Sequence, residues 1–456
     1  MIANKLLILL IIFFTYGIRA QENIMQKDIS NKIEDLINKV DPNLNIGIKI
    51  TNLTQQVVIY EKNAGRYFIP ASTLKFITIL TALEYFDEDY NFTSNLFYKN
   101  QDYYIDIHDP DFNLEDLTYF ISELKQHSGG IIQGNIYIIN NRFSLPPLMP
   151  DKTLLDAQYC YGAPITMVHI NKNCSKLNVA PSEVGKNITI NSDINFPYII
   201  VNEAKTVDKD QIDRLHVTIE DEKYIIRGTL SLLTGAVTIG AVANDNLAHI
   251  KYNVQKQLDN SGITLKGKIL FIDKEIDDGT LLAARSKNIK DIASKAMKKS
   301  DNFMSDYLLA QFATSNQIVE YDWAADKLKE IIKDRFDTDI MASDIRDGSG
   351  ISRQNLLTVN QFDSFLTAIA KQDNFELIKS ILATPDSKST LQERFENVKI
   401  YAKTGSLTGV STLVGYFYDD KRRLYSFVIM ANNFYKDRSY YRKLQEDIVR
   451  LIIKHC

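Results

Sequence analysis

Pro70-Ala-Ser-Thr-Leu-Lys-Phe-Ile-Thr-Ile-Leu-Thr-Ala-Leu-Glu-Tyr-Phe86 decides how this 456-residue chain is read. The spacing predicts a helix from Ser72 to about Phe86, with Pro70 a suitable signal just ahead of its first turn. Leu74, Phe76, Ile77, Ile79, Leu80 and Leu83 leave almost no polar face, so the helix belongs in the protein centre. Ser72 and Lys75 are three apart and share one side of it. Burial disfavours the charged form of a lysine, and a neutral amine beside a hydroxyl can take its proton. That is a serine nucleophile with a lysine base, and it requires no histidine.

A Ser-x-x-Lys quartet says little by itself. The chain holds a second one, Ser122-Glu-Leu-Lys125, which reads as an ordinary exposed helix face. Two further motifs raise Ser72 above it. Ser300-Asp-Asn302 falls at a break between two helical stretches, where a hydroxyl can relay a proton and an amide can grip a substrate carbonyl; a helix cap is the competing reading of Ser300. Its own decoy, Ser286-Lys-Asn288, reads as a polar loop. Lys403-Thr404-Gly405-Ser406 lies at the end of a predicted strand. A cation with two hydroxyls there suits a carboxylate, Gly405 leaves room for substrate to add to the strand edge, and the Ser72 and Ser406 amides can form an oxyanion hole.

Working outward, Leu44–Ile50 and Gln56–Tyr60 alternate like two strands joined by a turn at Asn52–Gln55. From about Asn91 to about Gly279 the pattern changes to short strands and turns, among them Gly130–Ile139, Tyr198–Val201 and Lys223–Thr229. Helical periodicity returns at Ile289–Ala313 and Tyr321–Arg335. Strand signals follow at Lys399–Lys403, Ser411–Tyr418 and Leu424–Met430, the last two forming a hairpin across Asp419–Arg422, and a helix at Tyr440–Ile453 ends the chain. Strands at both ends around a helical middle imply one discontinuous α+β domain with a β-rich segment inserted in it.

Residues 1–20 read as a signal peptide: Lys5, an unbroken apolar run from Leu6 to Phe14, and a small residue, Ala20, before Gln21. The run is short for a membrane span, with an uncleaved anchor the alternative. No later stretch is long enough to cross a membrane, so the mature body is expected to be exported and soluble. Without Lys5 and Arg19, 51 basic residues face 57 acidic ones, which argues against nucleic acid as a partner. Cys160 and Cys174 are the evident candidates for a disulfide, with free thiols the alternative. The six histidines are scattered and no metal-binding spacing occurs, so neither metal nor cofactor is expected.

Around the three motifs the wording resembles the D-alanyl-D-alanine carboxypeptidase/endopeptidase family, the S13 peptidases or class C low-molecular-mass penicillin-binding proteins. The stretches that carry it are Pro70–Phe76, Tyr161-Gly-Ala-Pro-Ile165, Ser300–Asn302, Asp347-Gly-Ser-Gly350 and Lys403–Val410. The motif trio is shared with β-lactamases and penicillin-binding proteins at large. The 228 positions between Ser72 and Ser300 match a branch with two extra domains inserted there.

The resemblance implies a transpeptidase-like domain, a five-stranded antiparallel sheet between helical layers, over 21–92 and 285–456, with an inserted region, two nested smaller domains, over 93–284. It implies Ser72 as nucleophile, Lys75 as base, Ser300 and Asn302 on one wall of the cleft, and Lys403, Thr404, Gly405 and Ser406 on the other. Asp347–Gly350 reads as a structural loop beside the site. Peptidoglycan stem peptides would be substrates, β-lactam antibiotics covalent inhibitors, and the periplasm the destination. A β-lactamase and a catalytically silent wall-binding scaffold are the rivals. His108 stands where the family usually has Gly, Asn140-Asn141 where an acidic residue is common, and Asn91–Asp109 is short.

Overall fold

The computed structural model describes residues 26–140, 152–153, 156–191, 198–220, 223–243, 245–313, 321–386 and 388–455. The expected signal peptide and Asn141 lie outside these. No described helix is long and apolar enough to cross a membrane.

A five-stranded antiparallel sheet joins the two ends of the chain. Its order is Val57–Lys62, Asn45–Asn52, Leu424–Asn432, Val410–Tyr418 and Ile400–Leu407. Asn52 closes the first hairpin: its Oδ1 accepts from the Gln55 amide at 2.9 Å. Both faces are covered, so these strands carry apolar residues on both sides. On one face Val414, Tyr416, Val428 and Met430 pack with Leu74, Phe76 and Phe362 in one core. On the other, Ile46, Ile48, Leu413 and Ile429 pack with Ile29 and Ile33 of a helix over 26–40 and with Ile448 and Ile452 of the C-terminal helix, Arg438–His455. The 26–40 helix was not anticipated, although Ile29, Ile33 and Ile37 fall at helical spacing.

The central helix runs from Leu74 to Phe86, two residues later than expected, because Ala71–Thr73 winds as a 3-10 turn. Every residue from Leu74 to Leu83 is buried. Phe76 sits between Phe362, Phe365 and Tyr416 at ring distances of 6.1–6.4 Å. Truncating such a ring to alanine costs about 3–5 kcal/mol, which measures how firmly the turn carrying Ser72 is seated.

A second five-stranded sheet, of mixed direction, has the order Ile269–Ile272, Ile136–Ile139, Asp102–Asp106, Asn91–Lys99, Thr280–Asn288. Asn91 pairs with Asn288 and Tyr98 with Thr280, so the segment between these strands leaves and returns side by side. The expected strand Gly130–Ile139 is broken into Ile131–Ile132 and Ile136–Ile139. Gly134 sits at the break, where a Cβ would meet the Gln101 carbonyl oxygen at 2.4 Å. Ser286-Lys-Asn288, expected in a loop, is the end of strand Thr280–Asn288. Smaller sheets after Cys174 surround a separate core that includes Leu177, Val179, Val217 and Tyr224.

Candidate active site

Ser72 lies on the 3-10 turn and Lys75 on the first turn of the helix after it, and three-residue spacing brings their side chains together. Lys75 Nζ is 2.9 Å from Ser72 Oγ, 2.7 Å from Asn302 Oδ1 and 2.5 Å from the Ser349 carbonyl oxygen. Lys75 is fully buried, and that burial pulls its pKa from 10.5 to about 8 against the pull of Asp306, Asp347 and Asp301. The three partners suit the neutral amine. Asn302 Oδ1 and the Ser349 carbonyl can only accept, whereas a hydroxyl can also donate. An uncharged Nζ therefore keeps two N–H bonds and offers its lone pair to the Ser72 proton, with no bond lost.

Ser300 and Asn302 flank the break between helices Ile289–Lys299 and Asn302–Gln311. Ser300 takes the left-handed conformation that ends the first helix, with φ 57°. Asp301 caps the second, accepting from the Met304 amide at 3.0 Å. Asp301 is thus the N-cap of the second helix, while Ser300 caps the C-terminus of the first through its backbone amide, which leaves its hydroxyl for the cleft. Asn302 Nδ2 donates to the Tyr161 carbonyl at 2.9 Å, and Lys172 forms an ion pair with Asp301. Cys160, next to Tyr161, is joined to Cys174 by a disulfide with Cα atoms 5.5 Å apart.

Lys403, Thr404, Gly405 and Ser406 lie inside the edge strand Ile400–Leu407 rather than at its end. Lys403 is buried, and its Nζ donates to Ser300 Oγ at 2.8 Å and to the Thr404 carbonyl at 2.9 Å. Burial first, and Lys75 second, push its pKa well below the usual lysine range. Gly405 has a reason beside the one expected. A Cβ there would meet Thr412 Oγ1 at 2.1 Å, the Pro70 carbonyl oxygen at 2.8 Å and the Ser72 amide nitrogen at 3.0 Å. Its bare Cα lets the strand close on the turn that carries Ser72.

Asp347–Gly350 braces that turn from another side. Asp347 accepts from the amides of Gly350 and Ser352 at 2.6 and 2.7 Å and from Asn355 Nδ2 at 2.9 Å. Gly350, with φ +81°, packs so closely that a Cβ would meet the Ala71 carbonyl oxygen at 1.9 Å. Beneath it, buried Asp306 accepts from the Gly348 amide at 3.0 Å and lies 3.5 Å from Lys152. Burial raises the Asp306 carboxyl to about 6, opposed by Lys152 and Lys75.

Two cavities meet at Ser300. One, of about 290 Å³, is lined by Ser72, Thr404, Ser406, Arg394, Arg442 and Gln445, among others. The other, of about 650 Å³, runs past Asn302, Tyr161, Lys172 and Asp111. All eight residues singled out in the sequence thus gather round one cleft. The two decoys do not: Ser122 and Lys125 are exposed on helix Leu114–Ser128, and Ser286 bonds to Thr93 across two strands. Sequence reasoning missed Asp306, Arg394, Arg442 and Gln445. It also gave no role to the carbonyls of Tyr161 and Ser349, although both lie in stretches it had marked.

Comparison with known proteins bears on the family and the fold. The chain is 26% identical over 427 residues to the D-alanyl-D-alanine carboxypeptidase DacB of Haemophilus influenzae, covering 88% of each. It is 22% identical over 401 residues to the D-alanyl-D-alanine carboxypeptidase of Actinomadura sp. strain R39, covering 81% of this chain and 74% of that one. The crystal structure of penicillin binding protein 4 from H. influenzae superposes with a TM-score of 0.81 at 24% identity, over 92% of this chain and 99% of that one, so the two share a fold. The model of the D-Ala-D-Ala carboxypeptidase 3 (S13) family matches residues 29–454, and the chain belongs to that family.

Proposed function

We propose that the chain is a serine-type D-Ala-D-Ala carboxypeptidase that forms an acyl-enzyme on Ser72 with peptidoglycan stem peptides, and that cuts cross-linked peptides as a DD-endopeptidase by the same step. The observation that carries this reading is the set of partners round Lys75. At pH 7, one unit below a pKa of about 8, about one molecule in ten holds a neutral Lys75. That amine takes the Ser72 proton as Oγ attacks the carbonyl of the penultimate D-Ala. The amides of Ser72 and Ser406 receive the oxyanion. Lys403 donates to Ser300 Oγ, which leaves the Ser300 proton free to pass to the departing amine. Asn302 and the Thr404 and Ser406 hydroxyls position the substrate, and water then releases the acyl group. β-Lactams present the same carbonyl and acylate Ser72.

The same reading assigns 21–92 and 285–456 to the catalytic domain and 93–284 to an inserted region of two nested domains. The pairing of Asn91–Lys99 with Thr280–Asn288 supports it, since the chain then leaves and re-enters the catalytic domain on adjacent strands. Residues 1–20 act as an export signal, and the mature protein works in the periplasm.

The test is incubation of the purified protein with a fluorescent penicillin, peptide mass spectrometry of the adduct, and assay of a D-Ala-D-Ala peptide. The expected result is a long-lived adduct on Ser72 with release of D-alanine, both absent from Ser72→Ala. Labelling of that variant at the wild-type rate would refute the assignment. An adduct lost within seconds indicates a β-lactamase, and its absence indicates a silent scaffold.

A further inference from the structure

The wall formed by Thr404 and Ser406 continues into a cationic pocket outside the three motifs. Ser406 is paired in register with Ser411 on the next strand. Ser411 Oγ accepts from Gln445 Nε2 at 3.1 Å, and Gln445 Oε1 accepts from Arg394 Nη2 at 3.2 Å. Ser411 and Gln445 are each only 2% exposed, so this chain of bonds is fixed. Arg394 is held further by Glu446, Nε to Oε1 2.7 Å, and by the Arg442 carbonyl, Nη2 to O 3.3 Å. Arg442 follows on the same helix face, three residues before Gln445, and lines the cavity that also holds Ser72. Unlike Arg394, it forms no ion pair among the described residues; burial, then Arg394 and Arg438, lower its pKa from the usual arginine range, with Asp437 and Glu446 opposing.

The distribution of charge round the nucleophile is uneven. Lys403 is enclosed and spends its hydrogen bonds on Ser300 and on the backbone of Thr404. Burial and the neighbouring Lys75 both disfavour its positive form. Arg442 is exposed to the cleft, remains cationic at any working pH and carries a planar fork of donors matched to a carboxylate.

We propose that Arg442, carried on a helix turn that Arg394 ties to Gln445 and to the Arg442 carbonyl, forms a subsite for a carboxylate on the leaving side of the scissile bond. Arg442, more than Lys403, then supplies the charge by which the cleft prefers a free acid to a neutral end. This deepens the carboxypeptidase reading and rests on it. Thr404 and Ser406 orient the carboxylate by hydrogen bonds, and Arg442 contributes the selectivity.

The experiment compares two synthetic peptides, one ending in D-Ala-D-Ala with a free carboxylate and the other in its C-terminal amide. kcat/KM is measured for each with the wild-type protein, Arg442→Gln and Arg442→Lys. Because Arg442 is exposed, its removal leaves the core intact, which an unchanged Tm verifies. The expected result for Arg442→Gln is a loss of about ten- to a hundredfold on the acid, the span of a charged hydrogen bond, with little change on the amide. Arg442→Lys recovers part of the preference. An equal loss on both peptides, or an unchanged ratio, overturns the subsite while the proposed function stands. A wild-type protein that turns over neither peptide and gains no adduct on Ser72 overturns both.

Discussion

Asn302 Oδ1 and Lys75 Nζ lie 2.7 Å apart although 227 positions separate them in the chain. The same amide reaches the Tyr161 carbonyl through its nitrogen. Asn302 is therefore a bridge whose two ends have opposite hydrogen-bonding demands. Asn302→Asp is expected to lose the Tyr161 bond and to place an anion against Lys75. The anion favours the ammonium and raises the lysine pKa, so the acid limb of the acylation profile moves above pH 8. At pH 7 acylation by a fluorescent penicillin should slow by about ten- to a hundredfold. A profile that keeps its midpoint would mean that Asn302 acts on the substrate alone.

In the wild-type protein the rate of acylation should rise with pH through about 8 and level off above it, because the proposed mechanism uses the deprotonated form of Lys75. Asp306 favours the charged form, so Asp306→Asn should move the midpoint downward. Stopped-flow acylation rates between pH 6 and pH 10 measure both. A flat wild-type profile would remove Lys75 from the role of base.

Gly350→Ala is expected to destabilise the protein by about 2–4 kcal/mol and to abolish labelling of Ser72. The added methyl must occupy the space of the Ala71 carbonyl at a backbone angle that disfavours side chains. Thermal unfolding with a parallel labelling assay checks it, and a variant with wild-type Tm would show that the loop can retreat from the Ser72 turn.

Removal of the Cys160–Cys174 bridge, through paired alanine substitutions, should lower stability by about 3 kcal/mol on loop-closure grounds. Because Tyr161 is the next residue along, acylation should slow several-fold as well. Scanning fluorimetry of the variant, and of the native protein with reductant, tests the first effect. Unchanged labelling would separate the bridge from the site.

The three motifs of the candidate site were legible because each is local: Ser72 and Lys75 share one turn, Ser300 and Asn302 one helix break, and Lys403 to Ser406 one strand. The central sheet was legible for the same reason, its strands being apolar and bounded by turns such as Asn52–Gln55. What escaped was whatever depends on contacts between distant segments. Asp306 resembles any helical aspartate until the fold seals it beneath Gly348. Arg442 looks like one of many surface arginines until strand pairing sets Ser411, and with it Gln445, against Ser406. Backbone carbonyls have no letter in a sequence, so the parts played by Tyr161 and Ser349 emerge only in three dimensions. Gly405 was noticed, but its neighbour proved to be the protein's own Pro70–Ser72 turn.

The ladder between Asn91–Lys99 and Thr280–Asn288 carries one last consequence. A shortened chain, spliced with a tight turn where those strands begin and end, would retain Ser72, Lys75 and all of Ile400–Leu407. It would forfeit Tyr161 and Lys172, which hold Asn302 and Asp301 from the far side of the cleft, and leave Asn302 only its bond to Lys75. Such a miniature would own a nucleophile facing a slack wall. The long excursion between the first two motifs is thus masonry of the cleft itself, and lineages that trimmed it would have had to find another tether for that asparagine.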